Sequence, residues 1–333
     1  RGVLKHTVSP PKTQSVNNGL FASAPRAITA SVYENVAADQ DILLPGNLEP
    51  VPNDGSTVNR RQVLWTGLMY QGPNSGLWRN DGSEWKRITN GFDGVNVRDL
   101  ISTSQYLYAG SSKGLLRFEL DEYGIEQGQP KQFLKGKTVK SLYLESDGVT
   151  LLVGAFDGVY QVNTETNHEG AYPGMEGINV NCLWKCPKTG LLMAGAEGAL
   201  FRLEPGSADW SKAQLPASVA RISRIVGTED GRQIYLATSQ GVMASYDYGQ
   251  RFTRSTGNLP SGACMDASFS KKLQTITVLM ADHSVYSRQV DGFIWKELGI
   301  FPFDLWSIHH SDEIDALLLG SPANGIVYVP MNL

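Results

Sequence analysis

The sequence predicts an all-β chain folded as a seven-bladed β-propeller of four-stranded antiparallel blades, with the ring closed by the N-terminal segment. Three observations predict it. An apolar run ending in a small residue returns seven times, as Val-Leu-Trp-Thr-Gly67, Leu-Tyr-Ala-Gly110, Leu-Leu-Val-Gly154, Leu-Met-Ala-Gly195, Tyr-Leu-Ala-Thr238, Val-Leu-Met-Ala281 and Leu-Leu-Leu-Gly320, at intervals of 43, 44, 41, 43, 43 and 39 residues. Each run is followed, after a short loop, by a second anchor, from Gly76-Leu-Trp in the first unit to Gly325-Ile-Val in the last. No helical period intervenes, so each unit reads as four short strands.

The elements follow in chain order. Residues 1–61 carry Pro10, Pro11, Pro25, Pro45, Pro50 and Pro52, and Ala37–Thr57 is polar and turn-rich. This stretch reads as an extended arm that supplies closing and inner strands, while residues 62–333 form the propeller, the two together making one domain. The seventh unit ends at Leu333, after its third strand. Its outermost strand must therefore come from the arm, where Val16–Ser23 and Val3–Val8 both offer one, and Ala30–Val36 reads as the inner strand of blade one. Such a closure leaves no open sheet edge between the first and last blades.

Within the units, the hairpin anchors precede an aromatic that opens the outer strand: Trp85, Phe133, Trp210, Phe252 and Trp295. A turn rich in Gly, Pro and Asn then leads to the next inner strand, as in Val95–Leu100, Thr138–Leu142, Asn179–Leu183 and Arg221–Ile225.

The fifth unit contains Ser245-Tyr-Asp247-Tyr-Gly249-Gln-Arg-Phe252, with degenerate copies at Asn80-Asp81-Gly82-Ser-Glu-Trp85, Gly206-Ser-Ala-Asp209-Trp210 and Val290-Asp291-Gly292-Phe-Ile-Trp295. This pattern resembles the Asp-box (BNR-like) repeat of sialidases, xyloglucanases, sortilin-type ectodomains and photosystem assembly propellers. The resemblance covers about residues 62–333 and implies the propeller fold. In physical terms an Asp in a tight turn accepts N–H bonds from its own loop, Gly supplies unusual backbone angles and the aromatic packs beneath. Ser245, Asp247, Gly249 and Phe252 are thus expected to staple a hairpin between the third and fourth strands, on the blade periphery.

Composition bounds the function. Apolar residues make up 41% of the 333, enough for buried packing between blades. A net charge of −4 leaves no basic footprint for nucleic acid. No apolar run approaches the ~20 residues that span a bilayer. Three cysteines make no disulfide framework, and Cys182-Leu-Trp-Lys-Cys186 lacks zinc-knuckle spacing, so Cys182 reads as a packing residue. No metal site, phosphate loop, Ser-His-Asp order or cofactor motif is present. The absence of an Asn-x-Ser/Thr acceptor argues against a glycosylated ectodomain.

A propeller gathers the loops entering its inner strands at one end of the channel. Alternate residues there give Asn96 and Arg98, Thr138 and Lys140, Asn179 and Asn181, Arg221 and Ser223, Cys264 and Asp266, Asp304 and Trp306. Facing hairpin loops add Tyr70–Ser75, Lys113, Phe156-Asp157, Glu197, Gln240, Asp282-His283 and Pro322–Asn324. The expected ligand contacts are Tyr70, Arg98, Lys140, Asn181, Arg221, Asp266, Asp304 and Trp306, an aromatic-plus-polar set suited to a sugar or a peptide segment.

For catalysis, Asp266 and Asp304 offer paired carboxylates for glycan hydrolysis, and His283 an acid or base for a lyase. Arg98, Arg221 and Arg224 are available for a sialidase-like arginine cluster, but the Arg-Ile-Pro signature is absent. His309-His310 alternates across a strand, so at most one ring turns inward and the pair makes a poor metal site. The reading that results is a non-catalytic binding or scaffold propeller, without cofactor, presenting a polar funnel and rim to a protein or glycan partner in an extracytoplasmic setting. Two alternatives stand beside it: a glycan-active hydrolase or lyase, and a structural component of a secreted or virion assembly joined through residues 1–61.

Overall fold

The computed structural model describes residues 14–15, 25–34, 60–68, 75–81, 85–91, 94–255, 257–322 and 325–331. The described residues contain no helix and form seven four-stranded antiparallel sheets. In six of them the strands lie side by side in chain order. Their first strands are Pro25–Glu34, Val97–Ser102, Val139–Leu144, Val180–Lys185, Ile222–Gly227 and Cys264–Ser270, and the seventh sheet opens with Ser307–Ser311. Each first strand packs against that of the next sheet, and the seventh packs against the first, so these strands wall a central channel.

The seventh blade is completed from the other end of the chain. Gln14–Ser15 pairs antiparallel with its third strand, Gly325–Pro330, through Gln14↔Tyr328 and Ser15↔Val327. The pair lies immediately ahead of the expected segment Val16–Ser23; that segment and Val3–Val8 fall outside the described residues. The inner strand of blade one begins at Pro25, five residues before the expected Ala30. Its register explains the difference: Ala27 faces Gly67, the same pairing the other blades use, and Pro25 takes the first strand position, where a missing N–H costs least. Closure also has an apolar part, since Leu318 and Ile326 of blade seven share a buried cluster with Ile28, Leu64, Trp78 and Trp85 of blade one.

The repeating small residue has a steric cause. In five blades an inner-strand residue pairs with the glycine of the repeat, the third of its strand in blades one to four and the first, Ser307, in blade seven: Ala27↔Gly67, Asp99↔Gly110, Ser141↔Gly154, Cys182↔Gly195 and Ser307↔Gly320. A Cβ on Gly110 would stand 2.7 Å from Cγ1 of Val139, one on Gly154 2.9 Å from Cγ1 of Val180, and one on Gly195 2.9 Å from Cγ2 of Ile222. The glycine of one blade thus receives the branched side chain that opens the next. The register moves two anchors of the sequence repeat: Arg224 faces Ala237 rather than Thr238, and Asp266 faces Leu279 rather than Ala281. With these positions the intervals become 43, 44, 41, 42, 42 and 41. Ala237 fills the glycine's place beside the smaller Cys264, within one cluster.

Polar side chains on the inner strands add a second set of joints. Asp99 Oδ2 accepts the N–H of Leu142 (2.8 Å), Ser141 Oγ that of Leu183 (2.9 Å), Asp266 Oδ2 that of Ile308 (3.0 Å) and Ser268 Oγ that of His310 (2.8 Å). Each bond satisfies a backbone donor that the channel-side edge of a sheet would otherwise leave open.

The Ser245–Phe252 turn closes the hairpin between Gly241–Ser245 and Thr253–Arg254. Asp247 Oδ1 accepts from the Ser245 hydroxyl (2.7 Å) and from the N–H groups of Gln250 and Arg251 (3.1 Å each). Gly249 has φ +75°, and a Cβ there would stand 2.8 Å from Cε of Met193 in blade four, while Phe252 is buried beneath.

Filling the space between two blades tests the steric account. Gly110→Val should destabilise the fold by about 1–3 kcal/mol, and Val139→Ala in the same chain should recover part of that loss, as read from urea unfolding midpoints.

Candidate functional site: the channel mouth and waist

A β-bulge shapes the mouth. The pairing register slips at the second residue of the inner strand in six blades, between Pro25/Ala27, Val97/Asp99, Val139/Ser141, Val180/Cys182, Ile222/Arg224 and Cys264/Asp266. A bulge re-aims the extra side chain. Arg98, Lys140, Asn181, Ser223 and Met265 occupy this position in blades two to six, and all five line one cavity of about 70 Å³ together with Arg221, Asp266 and Trp306. The structure therefore brings together Arg98, Lys140, Asn181, Arg221, Asp266 and Trp306. Tyr70 lies outside the described residues.

The mouth concentrates positive charge. Burial, and then the charge of Arg221, lowers the pKa of Arg98; burial and Arg98 lower that of Lys140, with Arg221 adding to the effect and Glu197 opposing it. Lys140 Nζ donates to Asn179 Oδ1 (2.5 Å) and Asn181 Oδ1 (2.9 Å), and Asn181 Nδ2 donates to Glu197 Oε1 (3.2 Å). Arg98 Nε is buried without a hydrogen-bond partner. Two aromatics flank the charges: Trp306, and Phe156, whose ring centre is 5.1 Å from Lys140 Nζ and which is 59% exposed.

Beneath the mouth an ion group narrows the channel. Arg224 Nε donates to Asp266 Oδ1 at 2.9 Å, and its Nη1 stands 4.0 Å from Asp99 Oδ1. Asp266 holds the guanidinium in its charged form against the cost of burial, whereas burial pushes the Asp99 carboxyl up despite Arg224. A second cavity of about 250 Å³ shares Arg224 and Asp266 with the first and adds Asp99, Trp184, Phe269 and His309. Burial, then Arg224 and His310, push the His309 imidazole down to about 4.

Of the catalytic candidates, Asp304 meets His283, but neither lines the two channel cavities that Asp266 lines. Both Asp266 oxygens are engaged, Oδ1 by Arg224 and the N–H of Ala267, and Oδ2 by the N–H of Ile308. Asp304 lines neither channel cavity; its side chain is 65% exposed and its Oδ1 is 3.1 Å from His283 Nε2. His283 Nδ1 accepts the N–H of Leu305 (3.3 Å), so both ring nitrogens tie the blade-six hairpin to the segment entering blade seven. Cys182, Cys186 and Cys264 are buried, and burial pushes the Cys182 thiol up to about 12, which keeps it protonated.

Asp99 was not among the expected site residues, while Arg224 was expected only as part of an arginine cluster and His309 only as a poor metal ligand. Strict alternation selects Arg98 and Ser223 and passes over the residues that follow them. Their signal was a polar residue held between apolar ones in the repeated inner strand, as in Val97-Arg98-Asp99-Leu100 and Ile222-Ser223-Arg224-Ile225.

No protein-family model and no curated protein matches the chain. Among solved structures it is similar to two structures of the extracellular domain of BT4673 from B. thetaiotaomicron, described in one as a one-component and in the other as a hybrid two-component system. Both give a TM-score of 0.66 at 15% identity, over 95% and 96% of this chain and 40% of those chains. An ancestral GH74 enzyme is similar over 68% of this chain and 35% of its own, with TM-score 0.54 and 15% identity. The chain thus spans about 40% or less of these neighbours, and the likeness is one of fold.

Two outcomes test the waist. Asp266→Ala removes the partner of a largely buried arginine and should cost about 3 kcal/mol in denaturant unfolding. Because burial lowers the His309 pKa, the unfolded chain takes up its proton first, so stability should fall as the pH drops from about 6.5 toward 4. Protonation of Asp99 works in the opposite sense, so the measurement is the difference between wild type and His309→Gln. The variant should flatten the decline.

Proposed function

We propose that this propeller is a recognition module that holds the end of a protein or glycan ligand at the channel mouth and does not turn it over. The observation that carries this reading is the convergence of Arg98, Lys140, Asn181, Arg221 and Trp306 above a floor occupied by the Arg224–Asp266 pair. A ligand enters such a mouth by one end, with an aromatic face for stacking and polar groups for orientation. Against turnover, Asp266 has both oxygens engaged, Asp304 is spent on His283, and the two carboxylates line no common channel cavity. A hydrolytic pair requires two carboxylates on either side of one bond.

The hydrogen-bonded turn at Ser245–Phe252 supports kinship with Asp-box propellers and keeps that motif in a structural role. An extracytoplasmic location is supported by the likeness to the extracellular domain of BT4673, which extends over 95% of this chain. The fold also serves an enzyme of the GH74 type, so the test must read both binding and turnover.

The purified chain is screened on a glycan array and against a library of extracellular proteins. The expected result is a ligand whose affinity falls at least tenfold in Arg98→Ala/Trp306→Ala and is unchanged in Lys212→Ala, a blade-four outer-strand substitution away from the channel. Release of a cleaved product by the wild type overturns the reading.

A further inference from the structure

The mouth also specifies the chemistry of what it holds. We propose that it recognises a sulfate or phosphate monoester carried on a saccharide ring, a reading that rests on the binding role of the mouth. Besides Arg224, which is paired with Asp266, three cations reach the cavity from separate elements: Arg98 from blade two, Lys140 from blade three, and Arg221 ahead of blade five. Neither Arg98 nor Arg221 pairs with a carboxylate among the described residues, and the two guanidinium groups act on each other as like charges.

The hydrogen-bonding inventory is one-sided. Guanidinium and ammonium groups only donate. Most nearby acceptors are in use: Asn179 Oδ1 and Asn181 Oδ1 by Lys140, Glu197 Oε1 by Asn181, and both Asp266 oxygens by Arg224 and backbone N–H groups, beside the Ser223 hydroxyl, which can donate or accept. A group that fits is anionic and rich in acceptors. Three donors approaching from three blades suit the three terminal oxygens of a tetrahedral ester, whereas a planar carboxylate is matched by a single arginine fork. The cavity of about 70 Å³ above the Arg224–Asp266 pair admits one terminal group.

The carrier follows from the walls. Trp306 and Phe156 are both exposed aromatics at the rim, on blades seven and three, and aromatic side chains suit stacking of a saccharide ring. A peptide gains affinity by adding a strand to an open sheet edge. Here the channel-side N–H groups of Leu142, Leu183, Ile308 and His310 already donate to side chains of the preceding blade.

Titrations of the full chain, followed by the indole signal of Trp306 in NMR spectra, compare glucose 6-sulfate, glucose 6-phosphate, glucuronate, glucose, inorganic sulfate and a sulfotyrosine peptide. One of the two sugar esters should bind at least tenfold more tightly than glucuronate, glucose, inorganic sulfate or the peptide, and the ratio of the two esters identifies the oxyanion. Its affinity should fall about tenfold in Arg98→Gln and in Arg221→Gln, each first checked for an unchanged thermal midpoint, and should fall with added salt. Glu197→Gln, which removes the opposing charge, should tighten binding severalfold, a gain that misfolding does not produce. Equal or tighter binding of glucuronate, glucose, inorganic sulfate or the peptide overturns the ester. If such a ligand still depends on Trp306, the binding role of the mouth survives the loss. Ester binding that ignores Arg98 and Arg221 overturns the ester site, and indifference to Trp306→Ala as well removes the mouth.

Discussion

Blades two to five are each seated against the preceding blade by a branched side chain that occupies the space a glycine leaves open. Val139 on Gly110, Val180 on Gly154 and Ile222 on Gly195 repeat the contact around the ring. Because interiors are packed to crystal density, this one distance sets how closely neighbouring sheets approach. The spacing in turn sets the width of the channel and the place where the inner strands deliver their side chains. Where the pattern departs from glycine, the partner changes with it, as with Ala237 beside Cys264.

The same inner strands carry two further layers. Third-position side chains such as Asp99, Ser141 and Asp266 cross to the next blade and cap its backbone donors. Second-position side chains, turned by the bulge, collect at the mouth. Adjacent residues of one strand thus take different places: Asp99 joins blades while Arg98 faces the cavity. Asp266 and Arg224 belong to both layers, since their ion pair links the inner wall and forms the boundary between the two channel cavities.

Electrostatics grades along the channel. The mouth carries Arg98, Lys140 and Arg221 with Glu197 as the opposing charge, while the waist sets Asp99 and Asp266 around Arg224. Charges in so confined a space act strongly on one another, which is why burial and like charge lower the pKa of Arg98 and Lys140 together. The Lys140, Asn179, Asn181 and Glu197 side chains are thereby linked in one hydrogen-bonded group at the mouth.

The sequence by itself determined the blade count and the four-strand unit, both of which follow from periodic apolar runs, while the pairing of Gln14–Ser15 with the last blade is shown by the structure. The sequence also pointed to Arg98, Lys140, Asn181, Arg221, Asp266 and Trp306, because residues at equivalent places in a repeat share a position in space. Only the tertiary structure decided that Asp266 is committed to Arg224, that His283 and Asp304 tie two blades together, and that Asp99 and Arg224 belong to the channel. Those facts depend on contacts between residues some 20 or more positions apart and on a bulge that breaks strict alternation. Neither leaves a period in the chain, because a bulge inserts a single residue and a salt bridge is settled by the geometry of neighbouring blades.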